Sequence, residues 1–122
     1  RILLAEDNDL NAEIAIALLE EEGLLVERAA DGVKCMEMLE KAPAHYYELI
    51  LMDIQMPILG GYDTTRKIRR MADAEKAAIP IIAMTANAFA EDKQRALAAG
   101  MNDHVAKPID MNKLIPTLQK YI

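Results

Sequence analysis

The stretch Leu49-Ile50-Leu51-Met52-Asp53 decides the fold of this 122-residue chain. Its four apolar residues run without alternation and end at a carboxylate, and the turn-forming residues Pro57, Gly60 and Gly61 follow closely. A short, continuous apolar run bounded by turn signals is typical of a strand that is buried on both faces, as in a parallel sheet. We therefore expect Asp53 at the carboxyl edge of a central strand, where open α/β sheets build their sites. Asp is also a common turn residue, so Asp53 alone does not define a site.

Length and composition are those of one folded domain. Hydrophobic residues make up 52% of the chain, which supplies a sizeable core and argues against disorder. The net charge of -6 argues against a nucleic-acid-binding face. No apolar run reaches membrane-spanning length, no signal peptide is present, and the single Cys35 fits a reducing compartment. We expect one cytoplasmic domain over residues 1–122, without membrane contact, that has been cut from a longer protein.

Strand-like and helix-like patterns alternate along the whole chain. Further apolar runs predict strands at 2–5, 24–29, 80–84 and 103–106. Apolar residues at helical spacing, such as Leu10, Ile14 and Leu18, predict helices between and after the strands. These helices are predicted at 9–22, 33–42, 62–72, 88–100 and 111–118, with Asn87 and Asp110 as caps of the last two.

This alternation predicts an α/β fold. Five strands and five helices in turn imply a parallel sheet with right-handed crossovers and helices on both faces. The size suits a doubly wound, flavodoxin-like sheet with strand order 2-1-3-4-5, whose topological switch point lies between strands 1 and 3.

Polar residues follow four of the five predicted strands. Glu6 and Asp7 follow strand 1, Asp53 ends strand 3, Thr85 ends strand 4 and Lys107 follows strand 5. Parallel strands bring all of them to one edge, where three carboxylates repel one another and require a cation. Oxygen ligands in this number suit Mg²⁺, which also takes phosphate oxygens. A fixed ammonium and a hydroxyl suit a phosphoryl group, and an aspartate can bond phosphorus covalently.

The sequence motifs at these strand ends resemble those of the receiver domain of two-component response regulators. The motifs are AEDN at 5–8, MDIQMP at 52–57, MTANAF at 84–89 and HVAKP at 104–108. They look most like receivers attached to hybrid sensor histidine kinases. The resemblance covers the whole chain and implies a phosphorelay domain whose partner is a histidine kinase or a histidine phosphotransfer protein. It also implies that the isolated domain is not an enzyme beyond its own phosphorylation and dephosphorylation, and that the parent chain is a histidine kinase.

The resemblance assigns a role to each strand-end residue. Asp53 is implied as the phosphoryl acceptor and also as a Mg²⁺ ligand, together with Asp7 and the backbone carbonyl of Gln55. Glu6 is implied to reach the same cation through water.

At the neighbouring strand ends, the resemblance implies that Thr85 hydrogen-bonds the phosphoryl group and that Lys107 pairs with it. The Lys107-Pro108 bond is typically cis in the family, which X-Pro bonds adopt at a cost of roughly 0.5–1 kcal/mol. Gln55 and Asn87 are implied to border the path of the hydrolytic water, and neither is a base, so we expect slow self-hydrolysis.

Three residues depart from the family pattern. Gly60 stands where Asp is common, which should loosen the loop before the third helix. His104 occupies the usual aromatic switch position, and a partly buried imidazole packed beside strand 5 is as good an interpretation as a switch. Pro116 lies inside the last predicted helix, where it should kink the helix or cost it the hydrogen bond to Asn112.

Three other functions compete with this interpretation. A phosphohydrolase of the haloacid-dehalogenase type also uses a strand-end Asp, but it needs a second Asp where this chain has Gln55. A degenerate receiver would lack some of the chemical residues, and here every position is filled. A flavin- or nucleotide-binding protein of this topology would want a Gly- or Ser/Thr-rich loop after strand 1, where Glu6 and Asp7 would repel phosphate.

Overall fold

The computed structural model describes residues 1–56, 58–85, 90–107 and 109–122, without the side chains of 90–92. The features expected at Pro57, Asn87 and Pro108 lie outside these residues. The described residues form a five-stranded parallel sheet in the order β2-β1-β3-β4-β5, which confirms the predicted fold class. The strands are β1 (Ile2–Ala5), β2 (Val26–Ala29), β3 (Leu49–Asp53), β4 (Ile81–Thr85) and β5 (Asp103–Ala106).

Helices connect the strands and cover both faces of the sheet. They are α1 (Asp9–Glu21), α2 (Gly32–Lys41), α3 (Gly61–Arg69), α4 (Ala74–Ala77), α5 (Ala90–Ala99) and α6 (Met111–Gln119). None of the helices in the described part of the chain is long and apolar enough to cross a membrane.

The central strand β3 is buried on both faces, as its apolar run predicts. Successive side chains of a strand point to opposite faces. Ile50 and Met52 therefore pack into the cluster on the side of α2, α3 and α5, and Leu49 and Leu51 pack into the cluster on the side of α1 and α6. This double burial fixes Asp53 at the carboxyl edge of the sheet.

Among the described residues, two predicted boundaries are wrong by more than one residue. Strand β2 begins at Val26 and not at residue 24, because the backbone N–H of Leu24 donates to the carbonyl of Leu19 and closes the end of α1. The third helix ends at Arg69, and the unpredicted α4 follows it, with the Asp73 side chain accepting from the backbone N–H groups of its first turn.

Helix α1 buries a different face from the one that its large apolar residues mark. Ala12, Ala15 and Leu19 face the core, whereas Leu10 and Ile14 are 63% and 51% exposed. The helix was predicted correctly, but its buried face carries the small Ala12 and Ala15 beside Leu19, and Leu10 and Ile14 lie on the opposite, exposed side.

The proline in the last helix does not end it. Helix α6 continues through Pro116, which has no N–H to donate to the carbonyl of Asn112, so the predicted loss of one helical hydrogen bond follows. Asn112 is exposed, and water can bond its carbonyl instead. The kink itself stays a prediction.

Candidate functional site

The strand-end residues that the sequence singled out line one cleft at the carboxyl edge of the sheet. This cleft has a volume of about 390 Å³ and lies above β1, β3, β4 and β5. It is lined by Glu6, Asp7, Asn8, Asn11, Asp53, Ile54, Gln55, Tyr62, Met84, Thr85, Arg95 and Lys107. The parallel sheet thus brings all six predicted site residues together.

Three carboxylates converge in this cleft. One oxygen from each of Glu6, Asp7 and Asp53 lies within 4.8 Å of the others. Glu6 and Asp53 are buried, whereas Asp7 is exposed at the mouth of the cleft. A cluster of hard oxygen donors with one open side is a donor set that fits Mg²⁺.

The ammonium group of Lys107 contacts this cluster directly. Its Nζ lies 2.9 Å from Oε2 of Glu6 and 3.0 Å from Oδ2 of Asp53. Burial lowers the pKa of Lys107, but the hydrogen bonds and charges of Glu6 and Asp53 outweigh burial and raise the pKa above its usual value. The ammonium is therefore charged at neutral pH and bridges the two buried carboxylates.

The carboxyl group of Asp53 ionises less readily than that of an exposed aspartate. Burial raises its pKa to about 6, and the neighbouring charge of Glu6 adds to the rise, against the hydrogen bond from Lys107. The backbone N–H of Gln55 donates to Oδ1 of Asp53 at 3.3 Å. Asp53 is thus mainly ionised at neutral pH. Because its buried charge is unfavourable, binding of a cation beside it is favoured.

The remaining predicted residues lie beside this cluster. Thr85 is buried at the end of β4, and its carbonyl accepts from the backbone N–H of Lys107 at 2.8 Å, which couples the ends of β4 and β5. Gln55 lines the cleft, and the coordination of a metal by its carbonyl stays a prediction. His104 is partly buried on β5, with Nδ1 at 3.8 Å from Oδ1 of Asp103.

The loop after β3 approaches the site so closely that one position needs glycine. A Cβ on Gly61 would overlap the carbonyl oxygen of Asp53 and the Cα of Ile54. The backbone N–H of Gly61 donates to the carbonyl of Ile54 at 2.9 Å, which closes the loop. Gly60 is the N-cap of α3 and has no side chain to accept from its first turn. The looser loop stays a prediction.

Several residues at the site were not predicted from the sequence. Asn8 caps α1 by accepting from the backbone N–H of Asn11, and an Asn just before a helical pattern could have revealed it. Tyr62 and Arg95 line the cleft from α3 and α5. Arg28 on β2 binds the loop between β1 and α1, and no local sequence signal points to this contact.

Cys35 is excluded from this chemistry. It lies in α2, fully buried in the core, and burial raises the pKa of its thiol to about 12. A thiol with so high a pKa is not a nucleophile at neutral pH.

A doubly wound sheet with an acidic cluster and a lysine at its switch point defines a receiver-like α/β domain. Residues 2–119 match the family model described as response regulator receiver domain, and the chain belongs to this family.

Relatives of the chain include histidine kinases, several of which are named as hybrid kinases. The chain is 39% identical over 124 residues to hybrid signal transduction histidine kinase I of Dictyostelium discoideum, a match that covers 100% of the chain and 7% of that kinase. It is 42% identical over 127 residues to histidine protein kinase 1 of Candida albicans, a match that covers 98% of the chain and 5% of that kinase. The chain thus spans a small part of these proteins.

Solved structures agree with this assignment. The receiver domain of sensor histidine kinase PA1611 from Pseudomonas aeruginosa, with a magnesium ion coordinated in its active-site cleft, is 41% identical with a TM-score of 0.86, over 98% of this chain and 94% of that one. A chain of the co-crystal structure of Ypd1 and the Ssk1 receiver domain from Saccharomyces cerevisiae is 27% identical with a TM-score of 0.85, over 98% and 86%.

Proposed function

We propose that this domain accepts a phosphoryl group on Asp53 from a phosphohistidine donor, in a reaction that requires Mg²⁺. The observation that carries the proposal is the juxtaposition of the Asp53 carboxylate with the Lys107 ammonium at 3.0 Å and with two further carboxylates. Asp7, Asp53 and the Gln55 carbonyl would hold the metal, with Glu6 acting through water. When bound, Mg²⁺ supplies positive charge that offsets the carboxylates and binds phosphoryl oxygens.

The chemistry of the chain's own residues is then simple. An oxygen of the ionised Asp53 attacks phosphorus, a P–O bond forms, the P–N bond to the donor imidazole breaks, and the imidazole nitrogen leaves and takes a proton. Lys107 pairs with the Asp53 carboxylate before transfer and with the phosphoryl oxygens after it. The Thr85 hydroxyl donates to one of these oxygens. The pKa of Asp53 is about 6 without a cation, and bound Mg²⁺ would lower it, so labelling with Mg²⁺ should decline only at a pH below this value.

The test is intact-mass spectrometry after incubation with acetyl phosphate, with Mg²⁺ or with EDTA. The wild type should gain one phosphoryl group only with Mg²⁺, and Asp53→Asn should gain none. Asp63→Asn is the matched control, because Asp63 is an exposed aspartate on α3 that pairs with Arg66 on the same helix. Equal labelling of Asp53→Asn, or labelling in EDTA, would contradict the proposal.

We propose further that the donor docks on the exposed apolar face of α1, formed by Leu10 and Ile14. Ile14 also lines an apolar groove of about 290 Å³ that opens beside Glu6 and Lys107, so a partner on this face reaches the acceptor. Exposed apolar patches of this kind mark interaction sites. The Ypd1–Ssk1 complex makes a histidine phosphotransfer protein the occupant to test.

Phosphorylated Ypd1 serves as the donor in this test. Ile14→Glu should slow transfer from Ypd1 by about tenfold or more, since it places a charge in the centre of the contact, and should leave labelling by acetyl phosphate unchanged. Leu97→Glu is the matched control, because Leu97 on α5 is as exposed as Ile14, at 50% against 51%. Transfer that is equally fast in Ile14→Glu, or equally slow in both variants, would exclude α1 as the docking face.

The phosphoryl group is proposed to alter β5 through Thr85. A phosphorylated Asp53 gives the Thr85 hydroxyl an anionic acceptor, and Thr85 is bonded to Lys107 through the backbone at the end of β5. His104 lies on the same strand. Beryllofluoride should therefore shift amide NMR signals along α5, β5 and α6. The proposal fails if shifts stay within the site loops, or if Thr85→Ala transmits them equally well.

A further inference from the structure

The side chain of Arg28 joins the edge strand β2 to the acidic loop that follows β1. Its Nε donates to the backbone carbonyl of Glu6 at 3.0 Å, and its Nη1 donates to Oδ1 of Asp9 at 2.8 Å. Arg28 thus binds the chain on both sides of Asp7, which lies with Asn8 between these two contacts and which the proposed function assigns as a metal ligand.

The bond to the Glu6 carbonyl controls the backbone of Asp7. The carbonyl of Glu6 and the N–H of Asp7 belong to one planar peptide unit, so holding the oxygen fixes the plane from which the Asp7 Cα departs. Within the described part of the chain, the Asp7 carboxylate makes no hydrogen bond or ion pair that could position it otherwise. Its place in the cluster therefore depends on the backbone.

The surroundings of Arg28 argue against a role in stability alone. Its side chain is only 24% exposed, whereas its carboxylate partner Asp9 is 88% exposed, and such a partner compensates poorly for the burial of a charge. Its Nη2 is buried and has no hydrogen-bond partner among the described residues. A buried guanidinium N–H without an acceptor is unfavourable, so the residue stabilises the fold inefficiently.

We infer that Arg28 is a positioning residue for the magnesium site, acting on Asp7 through the peptide that follows Glu6. This inference rests on the proposed function of the cleft. The planar guanidinium places Nε and Nη1 at a fixed separation, which matches a carbonyl and a carboxylate at once. A lysine has the same charge but a single nitrogen, so it cannot hold both groups in this arrangement.

The two consequences of removing Arg28 have opposite signs. Loss of a positive charge near the carboxylates should strengthen Mg²⁺ binding, whereas loss of loop positioning should weaken it. Arg28→Gln removes both the charge and the geometry, and Arg28→Lys removes the geometry alone. If positioning dominates, both variants weaken binding, and if charge dominates, Arg28→Gln strengthens it and Arg28→Lys changes little.

The experiment measures the Mg²⁺ dissociation constant by isothermal titration calorimetry for the wild type and both variants. Both should show a dissociation constant raised by about tenfold, as is usual when a partner that orients a metal ligand is lost. Asp9→Asn, which leaves the Nε bond to Glu6 intact, should raise the dissociation constant by a smaller factor. Arg66→Gln is the control, because it removes the same charge from an exposed pair on α3 and should leave the constant unchanged.

Phosphorylation by acetyl phosphate supplies a second readout. The Mg²⁺ concentration for half-maximal labelling should rise in Arg28→Lys, while the rate at saturating Mg²⁺ stays near the wild-type value, which general destabilisation would not produce. Binding in Arg28→Lys that is as tight as in the wild type overturns the inference alone, because this variant keeps the charge and loses only the geometry. A wild type that binds Mg²⁺ but is not labelled overturns the proposed function alone, and a wild type that does not bind Mg²⁺ overturns both.

Discussion

Replacement of Asp53 by Asn should stabilise the metal-free domain at neutral pH while abolishing phosphorylation. Asp53 is buried between Lys107 and Glu6, and burial is the largest cause of the rise in its pKa. The ionised carboxylate is therefore less favourable in the folded protein than in the unfolded chain. Asn has nearly the same shape, keeps an oxygen for the N–H of Gln55, and carries no charge.

The pKa of Asp53 sets the size and the pH range of this effect. A folded pKa of about 6 against about 3.9 in an unfolded chain corresponds to an upper limit of about 3 kcal/mol. This pKa already includes the pair with Lys107. Because Asn does not reproduce every contact of a protonated Asp, we expect a gain of about 2 kcal/mol near pH 7.5. When folding raises the pKa of a carboxyl group, that group stabilises the folded state fully at a pH below its unfolded pKa. This stabilisation is lost as the pH rises through the folded pKa. The advantage of the Asp53→Asn variant over the wild type should therefore vanish as the pH falls from about 6 to about 4.

Urea unfolding followed by far-UV circular dichroism measures this difference, since the chain contains no Trp. The two proteins are compared in EDTA near pH 7.5 and near pH 4.5, with Asp63→Asn as a variant of an exposed aspartate. Saturating Mg²⁺ should stabilise the wild type more than Asp53→Asn, because it binds the intact carboxylate cluster more tightly. A variant that is less stable than the wild type at neutral pH in EDTA would refute the reasoning, and so would an equal gain at both pH values.

Three further substitutions test the packing of the fold, with Arg69 at the amino edge of the sheet and Gly61 and Gly60 after β3. Arg69 donates four hydrogen bonds, to the carbonyls of Gly100, Ala77 and Ile79 and to Oδ1 of Asn102; Arg69→Lys cannot make them all and should lower the free energy of unfolding by about 2 kcal/mol in urea unfolding. Gly61→Ala should cost about 2 kcal/mol or more by the same measurement, because its Cβ overlaps the Asp53 backbone, and wild-type stability would show that the loop shifts freely. Gly60→Asp should instead raise the unfolding free energy by about 0.3 kcal/mol, since it supplies the missing N-cap acceptor of α3, and a clear loss would contradict this.

The sequence predicted best those parts of the fold that are buried on both faces, because such strands appear in the sequence as continuous apolar runs. Strands β3 and β4 are buried along their full length, and their apolar runs locate them with a precision of a single residue. The edge strand β2 is only partly buried, and its apolar run continues backward into residues that close the end of α1. Hydrophobicity alone cannot show whether Leu24 belongs to β2 or closes the end of α1.

Tertiary packing explains the features that the sequence did not reveal. Helix α1 buries Ala12 and Ala15 while the larger Leu10 and Ile14 remain exposed, a choice that hydrophobicity alone would have reversed. The short helix α4 depends on the Asp73 cap and on Arg69, which binds the carbonyls at its end from another element. Such contacts between distant residues leave no periodic trace in the chain.

The same distinction applies to the site. The sequence located Glu6, Asp7, Asp53 and Lys107, because parallel strands must bring their carboxyl ends to one edge. It could not predict that Lys107 bridges Glu6 and Asp53 and leaves Asp7 unpaired within the described chain. When all groups are ionised, three carboxylates and one ammonium leave two negative charges, which one divalent cation offsets. The residue that stays unpaired is the exposed Asp7, on the side from which the proposed cation would enter. Without a side-chain partner, Asp7 can be positioned only through its backbone, and this is the role that we propose for Arg28.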